Sequence, residues 1–163
     1  IEIEKYVKKN LNKFSIFRLA KTYSDDFYLK GLISSFLQEI IKGKNNFIAA
    51  EDQIFNPLYV KDLKKIIIFF LKKEVHGVFN IGGPKSLSRF RVYKIIEKKL
   101  KQKFPDFKIK VNKIKINSLK FAERRPRNLS LDIKKLKNTV KFELTHIEKI
   151  IKIMVNKIKE KFI

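Results

Sequence analysis

Short apolar runs alternate along this chain with longer stretches whose apolar residues recur every three and four positions, a pattern that favours an α/β fold. Residues 14–19 form a brief, mostly apolar run that suits a buried strand of a parallel sheet. Residues 46–49 and 77–81 predict two further strands. Leu29, Leu32, Ile33, Phe36, Leu37 and Ile40 predict a helix that Gly43 closes. Leu63, Ile66, Ile67 and Phe70 mark the next helix. Val92, Ile95, Ile96 and Leu100 mark another, with Ser88 placed to cap it. Residues 108–116 alternate Ile109 and Val111 with lysine and asparagine, the period of a half-exposed strand. Residues 2–11 read as the end of an amphipathic helix. Thr145-x-x-Glu148 reads as a capping box ahead of a final helix that carries Ile147, Ile150, Ile151, Met154, Val155 and Ile158. Asp25 and Asp26 are expected at a helix start, where carboxylates favour the positive end of the dipole. Residues 52–57 read as a loop, because Pro57 biases Asn56 toward extended backbone.

The chain begins in helix-like sequence, Ile1-Glu2-Ile3-Glu4, with no initiator methionine, so it is expected to be the downstream part of a longer protein. Its 163 residues are enough for one domain with a real core. The longest apolar run, residues 66–71, is about a third of the ~20 residues that cross a bilayer, so no membrane span is expected. With no cysteine, the chain has no disulfide, zinc ribbon or cysteine nucleophile, which fits a cytoplasmic location. The formal charge of +23 suits a polyanion binder. Against that, arginine occurs only at positions 18, 89, 91, 124, 125 and 127, and the lysines are spread along the chain. Nucleic-acid surfaces favour arginine for its bidentate and stacking contacts, so specific nucleic-acid binding is not expected.

Few residues carry an obvious chemistry. Gly82-Gly83-Pro84 follows a strand and precedes a helix, but it lacks both the G-x-G-x-x-G spacing and the Lys-Ser/Thr of a phosphate loop, and reads as a tight turn. His76 and His146 have no partner at ligand spacing, and no metal site is expected. The densest polar feature spans residues 123–132, with Arg124, Arg125 and Arg127 around Pro126. Guanidinium groups pair bidentately with phosphate oxygens, so this segment suits a diphosphate; a solvated basic loop is the competing reading.

Four pieces occur in a familiar order: Phe17-Arg18-Leu19 with Tyr23; Asp52-Gln53 with Asn56-Pro57-Leu58-Tyr59-Val60-Lys61-Asp62-Leu63; residues 77–90; and Arg125-Pro126-Arg127-Asn128-Leu129-Ser130-Leu131-Asp132. Together they resemble the C-terminal half of extended short-chain dehydrogenases/reductases, most closely the dTDP-4-dehydrorhamnose reductase (RmlD-like) subgroup. The resemblance covers nearly the whole chain. It implies the last strands of a Rossmann-like NAD(P)-binding fold, at about 1–20 and 75–82. It also implies a small substrate-binding part, at about 21–74 and 83–163.

Family members carry Tyr-x-x-x-Lys, commonly with a glutamate four residues after the lysine. Glu4 matches that glutamate, so the catalytic lysine and tyrosine are expected upstream of Ile1, with the N-terminal Rossmann core before them. The tyrosine serves as acid/base and the hydride comes from NADPH or NADH. By the same resemblance, Lys21, Thr22 and Tyr23 lie near the nicotinamide, Arg89 and Arg125 approach the nucleotide diphosphate, Asn56 and Tyr59 lie near the substrate pocket, and Asp62 caps the helix that follows.

The implied function is the nucleotide-sugar-binding portion of a reductase acting on a dTDP-4-keto-6-deoxy sugar, inactive alone and able to form a homodimer. An epimerase or dehydratase of the same superfamily, and a noncatalytic relative like the regulatory subunit of methionine adenosyltransferase, are the alternatives; a basic nucleic-acid-binding protein is the third. The chain has Tyr23-Ser24 where the family often has Tyr-Gly, and Pro57-Leu58-Tyr59 where it usually has Pro-Thr-Tyr, which leaves the sugar open. Without an upstream sheet, the strands at Ile16 and Val78 are expected to present open edges and make the chain poorly soluble.

Overall fold

The computed structural model describes residues 2–119, 123 and 125–159. In chain order its helices and strands are α1 (Glu2–Asn10), β1 (Ser15–Leu19), β2 (Thr22–Tyr23), α2 (Leu32–Ile41), β3 (Asn46–Ala50), β4 (Ile54–Phe55), β5 (Leu58–Tyr59), α3 (Val60–Lys73), β6 (Gly77–Ile81), β7 (Leu87–Ser88), α4 (Arg89–Lys103), β8 (Lys110–Ile114), α5 (Lys134–Thr139) and α6 (Ile147–Asn156). The fold is mixed α/β with short parallel strand pairs. β1 runs parallel to β6, from Ser15 opposite Gly77 to Leu19 opposite Ile81. β3 runs parallel to β8, and β2 to β5. β4 pairs antiparallel with β7.

Two apolar cores follow from the helix periodicities. Phe36, Leu37, Ile40, Val92, Ile96, Leu100, Ile151 and Met154 bring α2, α4 and α6 together with Phe47 of β3 and Val111 of β8. Ile66 and Phe70 of α3, with Leu136 of α5, pack on Phe79 and Ile81 of β6. The Phe70 ring meets both Phe17 and Phe79 edge-on, at 4.9 and 4.7 Å, joining α3 to both parallel strands.

Several local expectations hold. Ser88 Oγ accepts the Arg91 N–H at 3.1 Å and caps α4. Gly43, at φ 89°, follows α2 in the left-handed conformation that favours glycine.

Others are overridden by contacts distant in sequence. α2 begins at Leu32, because Gly31 is extended; Leu29 stands outside it, 58% exposed. Asp25 and Asp26 therefore sit in a loop, not at a helix start. Asp26 Oδ1 accepts the Tyr28 N–H at 2.8 Å, and Asp25 pairs with Lys61 at 2.8 Å. The expected loop at 52–57 contains β4, which Leu87 and Ser88 recruit into a strand pair. The capping box does not form. His146 takes the N-cap position of α6 with no side-chain bond, while Thr145 turns to Asp62. Asp62 lies within the first turn of α3, where Tyr59 is the N-cap.

The Gly82-Gly83 turn is where two loops meet. A Cβ on Gly83 would lie 1.8 Å from the Pro57 carbonyl oxygen, and one on Gly82 would lie 2.3 Å from Asn56 Nδ2. Only glycine admits so close an approach of the 56–57 backbone.

Candidate functional site

Parallel sheets place ligands beyond the carboxyl ends of their strands. At that end of β1 lies a cavity of about 610 Å³. Its first wall is the segment that leaves the sheet: Leu19, Ala20, Lys21 and Thr22. Ala20 N–H still bonds Ile81 at 2.8 Å and Lys21 carbonyl accepts from Leu58 at 3.0 Å, so this segment is fixed on both sides. The second wall is the start of α2, with Gly31 and Ser35. Gly31 provides no side-chain cap. The third wall is the first turns of α4, with Arg89 and Tyr93.

The electrostatics of this cavity are cationic. Burial pushes the Lys21 ammonium below its ordinary range, and the nearby charges of Arg89 and then Arg125 push it the same way. Lys21, Thr22 and Arg89 thus converge on one cavity, with Arg125 in electrostatic reach. They were expected to divide between cofactor and diphosphate. Such a constellation can hold an anion whose charge relieves the repulsion among the cations.

The arginine segment is held in place by backbone pairing. Ile54 N–H donates to Arg127 O at 2.7 Å and Leu129 N–H to Ile54 O at 2.8 Å. Asn56 completes the clip: its Nδ2 donates to Leu131 O and its Oδ1 accepts Leu131 N–H, both at 3.0 Å. The buried Asn56 amide also reaches Gly83 O at 3.4 Å. Its hydrogen-bonding capacity thus goes to the backbone of Leu131 and Gly83. Arg127 turns toward Asp52, at 3.7 Å. Arg124 lies outside the described residues.

Tyr23 and Tyr59 form a buried pair across β2 and β5, 4% and 7% exposed, with ring centroids 5.6 Å apart and planes at 30°. Burial pushes both phenols up; Asp62 adds to the effect at Tyr23. Tyr23 Oη has no hydrogen-bond partner among the described residues. Neither ring lines the cavity that Lys21 and Arg89 share. Gly31, Ser35 and Tyr93 were not anticipated as site residues. Nothing local marks them, because α2 and α4 become neighbours only in the folded core.

Among the described residues no group of His, Cys, Asp and Glu could hold a metal ion, and no helix is long and apolar enough to cross a membrane.

Comparison with known proteins follows the same outline. The family model for the RmlD substrate binding domain matches residues 1–160. No curated protein sequence matches the chain. Among solved structures, the dTDP-4-dehydrorhamnose reductase of Bacillus anthracis, determined with NADP, superposes with a TM-score of 0.76 at 21% identity, over 95% of this chain and 52% of that one. The orthologue from Clostridium acetobutylicum gives 0.72 at 17% identity, over 94% and 51%. The dTDP-glucose 4,6-dehydratase of B. anthracis, determined with NAD, gives 0.71 at 21% identity, over 93% and 46%. The chain thus spans about half the length of these solved structures, and at such identities the likeness establishes the fold. Taken with the family match across residues 1–160, the chain belongs to the RmlD substrate binding domain family.

Proposed function

We propose that this chain is the nucleotide-sugar-binding portion of an NAD(P)-dependent reductase that acts on a dTDP-4-keto-6-deoxy sugar. The observation that carries the reading is the convergence of Lys21, Thr22 and Arg89 on one cavity, with Arg125 close enough to lower the Lys21 pKa. A diphosphate supplies negative charge opposite these cations. Arg89 and Arg125 offer it guanidinium donors and Lys21 offers an ammonium.

Lys21 and Thr22 also fit the edge of a nicotinamide, because they follow β1 at the carboxyl end of a parallel strand. When bound, the NAD(P)H cofactor supplies the hydride. Tyr23 and Tyr59 act one layer back, as a packed wall that fixes the Lys21–Thr22 segment through the β2–β5 pair. Asn56 positions the arginine segment. By itself the chain binds the nucleotide and does not reduce the sugar, since none of its five tyrosines has a lysine four residues later.

Calorimetric titration with dTDP tests the reading. Binding is expected, and Lys21→Ala and Arg89→Ala should each weaken it roughly tenfold, the range of a charge-assisted hydrogen bond. Absence of binding, or affinity unchanged in both variants, would overturn it.

A further inference from the structure

We propose that Tyr93 forms the nucleobase end of the cavity beside Lys21 and Arg89, so that the site selects nucleoside diphosphates over bare diphosphate. This rests on the reading that the cavity takes a nucleotide diphosphate. At about 610 Å³ the cavity falls within the range of small-molecule sites, roughly 300–1,000 Å³, and leaves room beyond the phosphates. Tyr93 is the one aromatic among its described lining residues. It lies four positions after Arg89 on α4, so both side chains stand on the same face of that helix, one turn apart. A ligand held by Arg89 through its phosphates can therefore reach Tyr93 with its next group.

The ring is already positioned for that contact. Phe36 lies against Tyr93 with centroids 3.9 Å apart and planes at 34°, and Phe47 meets it edge-on at 6.4 Å. Phe36 and Phe47 are themselves 4.2 Å apart. Two packed rings hold the tyrosine without any ligand, so stacking on it orders no further side chain. Tyr93 is half-buried and lines the cavity. Lys21, Lys30 and Arg89 supply the cations of the lining, and Lys21 and Arg89 are close enough to interact. A flat neutral base suits the aromatic end and the phosphates suit the cationic one. Stacking of this kind tolerates any base, so Tyr93 selects for the presence of a base and not for its identity.

The test titrates the protein with dTDP, dTDP-glucose and inorganic pyrophosphate. dTDP should bind at least tenfold more tightly than pyrophosphate. Tyr93→Leu, which keeps apolar packing on Phe36 without a flat ring, should weaken dTDP about tenfold and leave pyrophosphate unchanged. Tyr93→Phe should keep wild-type affinity. Equal affinity of the wild type for dTDP and pyrophosphate overturns the inference while leaving the anion site standing. So does an equal loss for both ligands in Tyr93→Leu, which would make the ring purely structural. A loss confined to dTDP-glucose would put the ring at the sugar end and overturn it as well. Failure of the wild type to bind any of the three removes the nucleotide reading of the cavity, and this inference with it.

Discussion

Thr145 donates its backbone N–H and its hydroxyl to the two carboxylate oxygens of Asp62, at 2.5 and 3.0 Å. Asp62 is 1% exposed and stands in the first turn of α3, while Thr145 lies just before α6. The pair ties together segments from the two apolar cores. Asp62→Ala leaves the Thr145 donors without their partner and should cost about 2–4 kcal/mol. Asp62→Asn keeps an acceptor and should cost less. Urea denaturation at constant slope measures both. An unchanged midpoint for Asp62→Ala would mean that Thr145 returns to cap its own helix.

Gly83 and Gly43 should respond differently to alanine. At Gly83 the new Cβ meets a backbone carbonyl oxygen at 1.8 Å, so the 56–57 loop must move and release the Asn56 clip. A loss above about 4 kcal/mol, or failure to fold, is expected. Gly43 has open space around it and only its φ of 89° opposes a side chain, so Gly43→Ala should cost about 1–2 kcal/mol. Thermal denaturation of the two variants decides the order.

Lys21 makes two pH effects run in opposite directions. Its folded pKa lies below the ordinary 10.5, chiefly through burial and then through Arg89 and Arg125. Between that lowered value and 10.5 the unfolded chain holds more protons, so the Lys21 contribution to stability rises with pH in that window. Anion binding needs the ammonium, so dTDP affinity should fall as pH rises through the lowered value. Lys21→Arg keeps its charge and should flatten the binding profile. Titrations across the alkaline range that show no difference between the two proteins would remove Lys21 from the binding surface.

Lys103 reaches from the end of α4 to the end of α6, donating to the carbonyls of Asn156 at 2.8 Å and Ile158 at 2.6 Å. The last carbonyls of a helix carry its negative dipole end, and a cation there stabilises it. Lys103→Met keeps the apolar stem and should cost about 1 kcal/mol. Amide exchange in the last turn of α6 should speed up, while exchange in β1 and β6 should not.

The main strands and helices were legible because each carries its own period. The runs at β1, β3 and β6, and the spacings of three and four in α2, α3, α4 and α6, need no neighbour to be read. The cap of α4 by Ser88 was legible for the same reason, since both partners lie within three residues. Lys21, Thr22 and Arg89 could be named from the order of motifs along the chain, and the structure brings them to one cavity.

What the sequence determined by itself is therefore local: the α/β class, the order of the main elements and the residue types suited to a diphosphate. Tertiary structure decided which of those residues share a cavity and which serve as its supports. Asn56 became a clip for Leu131, Tyr23 and Tyr59 became a packed wall, and Thr145 left its capping box for Asp62. Tyr93 of α4 lines the same cavity because Phe36 of α2 packs against it. The physical reason is distance along the chain. A periodicity or a cap is set by neighbours a few residues away, whereas a buried amide or carboxylate satisfies its hydrogen bonds with whichever group the folded core places beside it.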